Sequence, residues 1–213
     1  MKPSDLARQI SKYTQALIYD PEVQDVYTLV SSVGDEVCCV KAKAGEVKSQ
    51  ICDLLGSGIS TIHILGHGKP GQVELAGFVL DEFTWEDIVA KMDSVSVSRK
   101  VSELFGSRAE RAAVNQKMEI NFWSCQTGDG VMGKNYTQRV ADLCNANVNA
   151  SSGLVGHEKL GGNWELDVMS YPTVPFSVAA QQSFEQVLPH TISITQSELG
   201  NYRLGNGQLD GFY

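Results

Sequence analysis

The sequence contains no apolar run approaching the roughly 18 residues that a membrane helix requires. Its opening residues, Met1-Lys2-Pro3-Ser4-Asp5, lead into a polar, helix-like stretch that lacks the apolar core of a signal peptide. The expectation is a cytoplasmic protein, or one exported by a route without a classical signal peptide. Positive charge is scarce: 17 Lys and Arg stand against 25 Asp and Glu, a formal charge of −8. This argues against a nucleic-acid partner, since binding one needs a basic face to displace counterions. No Cys-x-x-Cys pair suggests zinc, and no metal is expected. Gly66-His67-Gly68 lacks the Lys-Ser/Thr of a phosphate loop and the third glycine of a dinucleotide fingerprint, so no cofactor is expected either. The chain shows no internal repeat.

What is present suits one soluble domain: 213 residues, 42% of them hydrophobic and 20% charged. The five cysteines are an odd number without a secretion signal, which argues against a disulfide framework. Cys38, Cys39, Cys52 and Cys144 fall in strand or helix patterns and read as small buried hydrophobes.

Apolar strands alternate with segments of helical period. Strands are expected at Leu17–Tyr19, Glu36–Ala42, Thr61–Leu65, Glu119–Trp123 and Asn147–Ala150. Helices are expected at about 22–32, 46–55, 83–92 and 136–144, with a small hairpin around Ala76-Gly77. Near-continuous apolar strands separated by helices predict an α/β fold with a mostly parallel sheet covered on both faces. Right-handed crossovers then gather the carboxyl ends of the strands on one edge, where ligands bind in such folds.

Two stretches stand apart. Residues 94–117 hold Arg99, Lys100, Arg108, Arg111 and Lys117 against Glu103 and Glu110, a locally basic insertion in an acidic chain. The bland reading is a solvated helix face; the sharper one is a polyanion site. From about residue 171 the chain turns polar and rich in Gly and Asn, and residues 171–213 are expected to be a loosely packed tail or linker.

His67 and Cys125 each follow directly on a predicted strand, at the same edge of the sheet. Taken alone, Cys125 would be a buried structural cysteine. Gly-His-Gly at the end of the neighbouring strand reverses that reading. The polar loop Gln126-Thr127-Gly128-Asp129-Gly130 also looks unable to cover a buried thiol. An accessible thiol near an imidazole has its pKa depressed and reacts as the thiolate. His63, in mid-strand, reads as a packed core residue, and His157 and His190 as exposed loop residues. Trp164 reads as a packing residue.

Ile62-His63-Ile64-Leu65-Gly66-His67-Gly68 and Ile120-Asn121-Phe122-Trp123-Ser124-Cys125 resemble the paired strand endings of the caspase-like (clan CD) cysteine peptidases, which include the self-cleaving domains of large bacterial toxins. Within that group, Pro70-Gly71, Ala150-Ser151-Ser152 and Leu160-Gly161-Gly162-Asn163-Trp164-Glu165-Leu166 are most similar to a bacterial domain of unassigned function from large adhesin-like proteins. The likeness runs over roughly residues 15 to 168.

The resemblance implies a caspase-like three-layer sandwich over residues 1–170. It also implies a cysteine endopeptidase, self-processing among its uses, whose partner is a protein or peptide substrate. Cys125 would be the nucleophile and His67 the proton donor. The amides of Gly68 and Cys125 would hold the oxyanion, and Ser151 and Ser152 would line the primary specificity pocket. Trp123-Ser124 and Gln126-Thr127 flank the cysteine where caspases have Gln-Ala and Arg-Gly, so a preference for aspartate does not carry over; Asp129 would instead favour a basic residue. The resemblance also suggests a polyanion activator, such as inositol hexakisphosphate, at residues 99–117. A catalytically inactive scaffold or binding module, and a small-molecule-binding α/β domain, are the alternatives.

Overall fold

Strands Gln15–Tyr19, Val37–Lys41, Thr61–Leu65 and Met118–Trp123 of the central sheet send alternate side chains into two separate apolar clusters, and this period of two organises the molecule. The computed structural model describes residues 12–103, 117–170 and 172–188, together with Leu6 and Ile10. The described strands are β1 (Gln15–Tyr19), β2 (Val37–Lys41), β3 (Thr61–Leu65), β4 (His67–Lys69), β5 (Gln72–Leu75), β6 (Phe78–Leu80), β7 (Met118–Trp123) and β8 (Ala146–Ala150). The described helices are α1 (Val26–Val30), α2 (Val47–Leu55), α3 (Glu82–Glu103), α4 (Gly130–Cys144) and α5 (Val178–Ser183).

Five strands form one sheet in the order β2-β1-β3-β7-β8, and every pairing in it is parallel. Ala16, Ile18, Ile62, Ile64, Ile120, Phe122 and Val148 point to the first face. There they pack with Val47, Ile51 and Leu54 of α2, Trp85 and Ile88 of α3, and Tyr136 and Val140 of α4. Leu17, Tyr19, Leu65 and Trp123 point to the opposite face, against Val26 and Leu29 of α1, Ala180 of α5, and Phe176, Phe184 and Leu188. The result is a three-layer α/β sandwich. Each large aliphatic side chain so buried contributes about 1.5–3 kcal/mol.

Local sequence explains the helix limits. In α4 the buried residues Gly133, Tyr136, Thr137, Val140 and Ala141 recur at helical spacing, and Asn145, left-handed at φ 48, ends the helix. The helix expected over 22–32 is only Val26–Val30, because Asp25 adopts a left-handed conformation (φ 57) just before it. The helix expected over 83–92 runs on to Glu103. Of the basic stretch 99–117, residues 104–116 lie outside the described residues, as does His190.

The expected tail begins too early. Residues 172–188 are part of the fold: Phe176, Phe184 and Leu188 are buried in the second core, and α5 lies between them. Their apolar residues are spread among polar ones, so no periodic run announces them; tertiary packing alone makes this segment ordered. Residues 189–213 lie outside the described residues. Among the described residues no helix is long and apolar enough to cross a membrane.

Candidate active site

Leu65 of β3 is the register partner of Trp123 of β7, so the two strands end side by side. Beyond the sheet, Gly66 N–H donates to the Trp123 carbonyl (3.2 Å), carrying the contact one residue further. The chain then enters β4, which pairs antiparallel with β5. A methyl group at Gly68 would stand 2.5 Å from the Cys125 carbonyl oxygen and from the Thr127 hydroxyl. Only glycine permits this approach. Gly71 N–H donates to the Thr127 carbonyl (3.1 Å), the Thr127 hydroxyl donates to the Gln72 carbonyl (3.4 Å), and Ser124 and Thr127 share a hydroxyl hydrogen bond of 2.6 Å. The hairpin carrying His67 is thus fastened to the loop carrying Cys125.

Alternation assigns the faces. Gly68 pairs with Val73, which lies in the first core together with Leu75. His67 pairs with Glu74, so both lie on the face of the β4–β5 hairpin opposite to Val73 and Leu75. The bonds of Gly66, Gly71 and Thr127 bring the segments carrying His67 and Cys125 together at one edge of the sheet. Gln126, immediately after Cys125, adopts φ 57, a left-handed conformation uncommon for a residue with a side chain, and its N–H donates to the Gly153 carbonyl (2.7 Å). Such outliers gather where a reactive group must be aimed.

Cys125 departs from expectation. It is 1% exposed, its Sγ accepts the Val155 N–H at 3.2 Å, and its S–H points to the Val155 carbonyl at 3.6 Å. Burial pushes the thiol pKa up, and the backbone bonds with Val155 and Leu188 offset only part of that. The expected accessible, low-pKa thiolate is corrected to a covered, neutral thiol. Residues 184–188 run beside it. Cys125 N–H donates to the Leu188 carbonyl (3.3 Å), Leu188 N–H to the Val155 carbonyl (2.9 Å), and His157 N–H to the Gln186 carbonyl (2.8 Å). Gly156 and Val187 form the antiparallel bridge between them.

The other anticipated residues divide. Ser151 is buried, and its hydroxyl turns back on its own loop, donating to the Gly153 carbonyl (3.3 Å) and accepting from the Gly153 N–H (3.1 Å). Ser152 gives its amide (2.7 Å) and its hydroxyl to Asp167. Partial burial pushes the Asp167 carboxyl up, and the Ser152 bonds more than offset this, holding it below the usual range. Ser152 and Asp129 do share an open cleft of about 610 Å³, with Lys134 and Asp167, but neither His67 nor Cys125 lines it. Ser151 does not line this cleft.

His63 is a packed core residue. Trp123 Nε1 donates to its Nδ1 (3.1 Å), and its Nε2 lies 3.0 Å from Gln15 Oε1. Burial pushes its pKa down to about 4. His63 and His67 stand four apart, a zinc-ligand spacing on a helix. On an extended chain four residues span about 13 Å, and no group of three ligating side chains exists among the described residues. His157 is half-buried rather than exposed, and its ring caps a 3-10 turn by accepting the Lys159 N–H (3.0 Å). Trp164 packs edge-to-face on Phe176 and Phe184.

Three contributors escape a reading of the sequence. Glu74 faces His67, and the alternation Val73-Glu74-Leu75 carried that signal. Val155, which grips the thiol, and Leu188, which covers it, are ordinary aliphatic residues without a local mark.

Fold and site together define a parallel α/β sandwich with a thiol and an imidazole at the carboxyl edge of adjacent strands. Over residues 16–188 the chain matches the family described as Domain of unknown function (DUF4347), and it belongs to that family. No curated protein and no solved structure matches it.

Proposed function

We propose that this domain is a cysteine endopeptidase in which His67 and Cys125 form the catalytic pair. One observation supports it above the rest: a peptide segment already lies along Val155–His157 as an antiparallel strand, with a backbone carbonyl on the Cys125 amide. That is the arrangement an attacked peptide bond requires. The resemblance of both strand endings to clan CD peptidases points the same way.

On this reading, the Cys125 thiol passes its proton to His67 and Sγ bonds to the substrate carbonyl carbon. The carbonyl π pair moves onto oxygen, where the amides of Cys125 and Gly68 stabilise it, each by about 3–4 kcal/mol. Collapse re-forms the carbonyl and breaks the C–N bond, and the departing nitrogen takes the proton from His67. Water then attacks the thioester while His67 accepts its proton, and the Cys125 thiolate leaves. The partner is a protein or peptide chain.

A catalytically silent scaffold is the second reading, and the 1% exposure of Cys125 favours it. Incubating the full chain with a thiol-reactive peptide ketone, then mapping the adduct by mass, separates the two. The peptidase reading requires an adduct on Cys125 whose formation slows about a hundredfold in His67→Ala. Labelling spread over the other cysteines, with none on Cys125 either in the unsubstituted chain or in one carrying Leu188→Asp, contradicts it.

A further inference from the structure

We propose that residues 184–188 are a resident substrate mimic that closes the site and reveals its specificity: an extended peptide with an aliphatic residue at the attacked carbonyl. This rests on the peptidase reading of His67 and Cys125. Three backbone bonds fix the register. Leu188 N–H and the Gln186 carbonyl pair with Val155 and His157, while the Leu188 carbonyl takes the Cys125 amide. Leu188 therefore occupies the position whose carbonyl carbon the thiol would attack. Its side chain is fully buried, in the cluster that also holds Leu65, Trp123 and Val155. A basic residue there would be an unpaired buried charge, which is costly.

The groove is built for a strand. A methyl group on Gly156 would stand 2.7 Å from Val187 Cα, and Gly156 itself sits at φ 136, which side chains rarely adopt. Upstream, Phe184 rests edge-on against Trp164 (5.7 Å between ring centres), Trp164 on Phe176 (5.5 Å), and Phe176 on Trp123 (5.8 Å). This aromatic row ties the strap back to β7.

The sequence supplies the reason the mimic is not consumed. Leu188 is followed by Pro189, so the nitrogen that would leave lies inside a pyrrolidine ring. A tertiary amide of this kind is a poorer fit to a site that must deliver a proton to the departing nitrogen, and proline disfavours the helical conformation for the residue before it. Displacement of the strap, rather than cleavage of it, then opens the site: Cys125 regains solvent and its thiolate becomes accessible.

The test uses the full chain and two variants, Leu188→Asp, which places a carboxylate among apolar groups, and Gly156→Ala, which presses on the strap backbone. Alkylation of Cys125 by iodoacetamide, read by mass mapping, is expected to quicken by about tenfold or more in both. Reporter peptides Phe-Glu-Gln-Val-Leu and Phe-Glu-Gln-Val-Arg, each carrying a fluorogenic amide, are expected to divide, only the leucyl one being hydrolysed. Should a variant fail to melt cooperatively, the unsubstituted chain gives the same answer through the rates at which leucyl and arginyl peptide ketones label Cys125. An unchanged alkylation rate in folded variants overturns the proposal. Hydrolysis without preference for leucine overturns it while leaving the peptidase reading intact. Exposure of Cys125 with neither reporter cut overturns both.

Discussion

The amide of Cys125 donates to the carbonyl of Leu188 at 3.3 Å, so the proposed nucleophile already holds a peptide carbonyl of its own chain. That contact links the chemistry at the end of β7 to a segment 63 positions further on.

Gly68 sets the distance between the hairpin carrying His67 and the loop carrying Cys125. Gly68→Ala would force a methyl group to within 2.5 Å of the Cys125 carbonyl oxygen and the Thr127 hydroxyl. Overpacking of this kind costs about 1–3 kcal/mol. The expected outcome is a lower urea midpoint and, in a strap-opened chain, a fall in kcat larger than any rise in KM. A folded variant with unchanged kinetics would remove Gly68 from the site.

Glu74 lies directly across the β4–β5 pair from His67. Opposite residues of an antiparallel pair have Cβ atoms about 4.5–5.5 Å apart, close enough for a carboxylate to orient an imidazole. In a strap-opened chain, Glu74→Gln is expected to lower kcat about tenfold at unchanged KM, with Glu74→Asp recovering part of the loss. Equal loss in both variants, or a change in KM alone, would make Glu74 merely structural.

His63 makes stability depend on pH. Its folded pKa of about 4 lies below the ordinary value of 6.5, so between those limits the unfolded chain binds more protons. Stability contributed by neutral His63 is whole above pH 6.5 and is lost as pH falls toward 4. The loss amounts to about 3 kcal/mol. Urea midpoints across that range are expected to fall with pH in the wild type and to fall less in His63→Gln. Parallel curves would contradict the assignment.

Asp20 is a buried carboxylate at the end of β1, one oxygen accepting Glu22 N–H and the other Ala76 N–H, each at 2.9 Å. Asp20→Ala orphans both donors and is expected to cost about 2–3 kcal/mol. An unaltered urea midpoint would show that water replaces the carboxylate.

The parallel sheet was legible because continuous apolar strands such as Ile62–Leu65 and Ile120–Trp123 alternate with helices of clear period. The edge position of His67 and Cys125 follows from the same pattern, since each stands directly after its strand. The burial of Cys125 was not legible. It depends on Leu188 and on the long-range pairing of residues 186–188 with Val155–His157, which no local spacing encodes. For the same reason the contact of Val155 with the thiol was not legible.

The most direct measurement is hydrolysis of the leucyl reporter by the full chain carrying Leu188→Asp, alone and combined with Cys125→Ala or His67→Ala. The expected result is measurable turnover in the single variant, reduced by about 10³-fold or more in each double variant. Melting temperatures within about 4 °C of the single variant would show the fold is kept. Turnover that survives the loss of Cys125, in a chain that remains folded, would contradict the assignment of this domain as a cysteine peptidase.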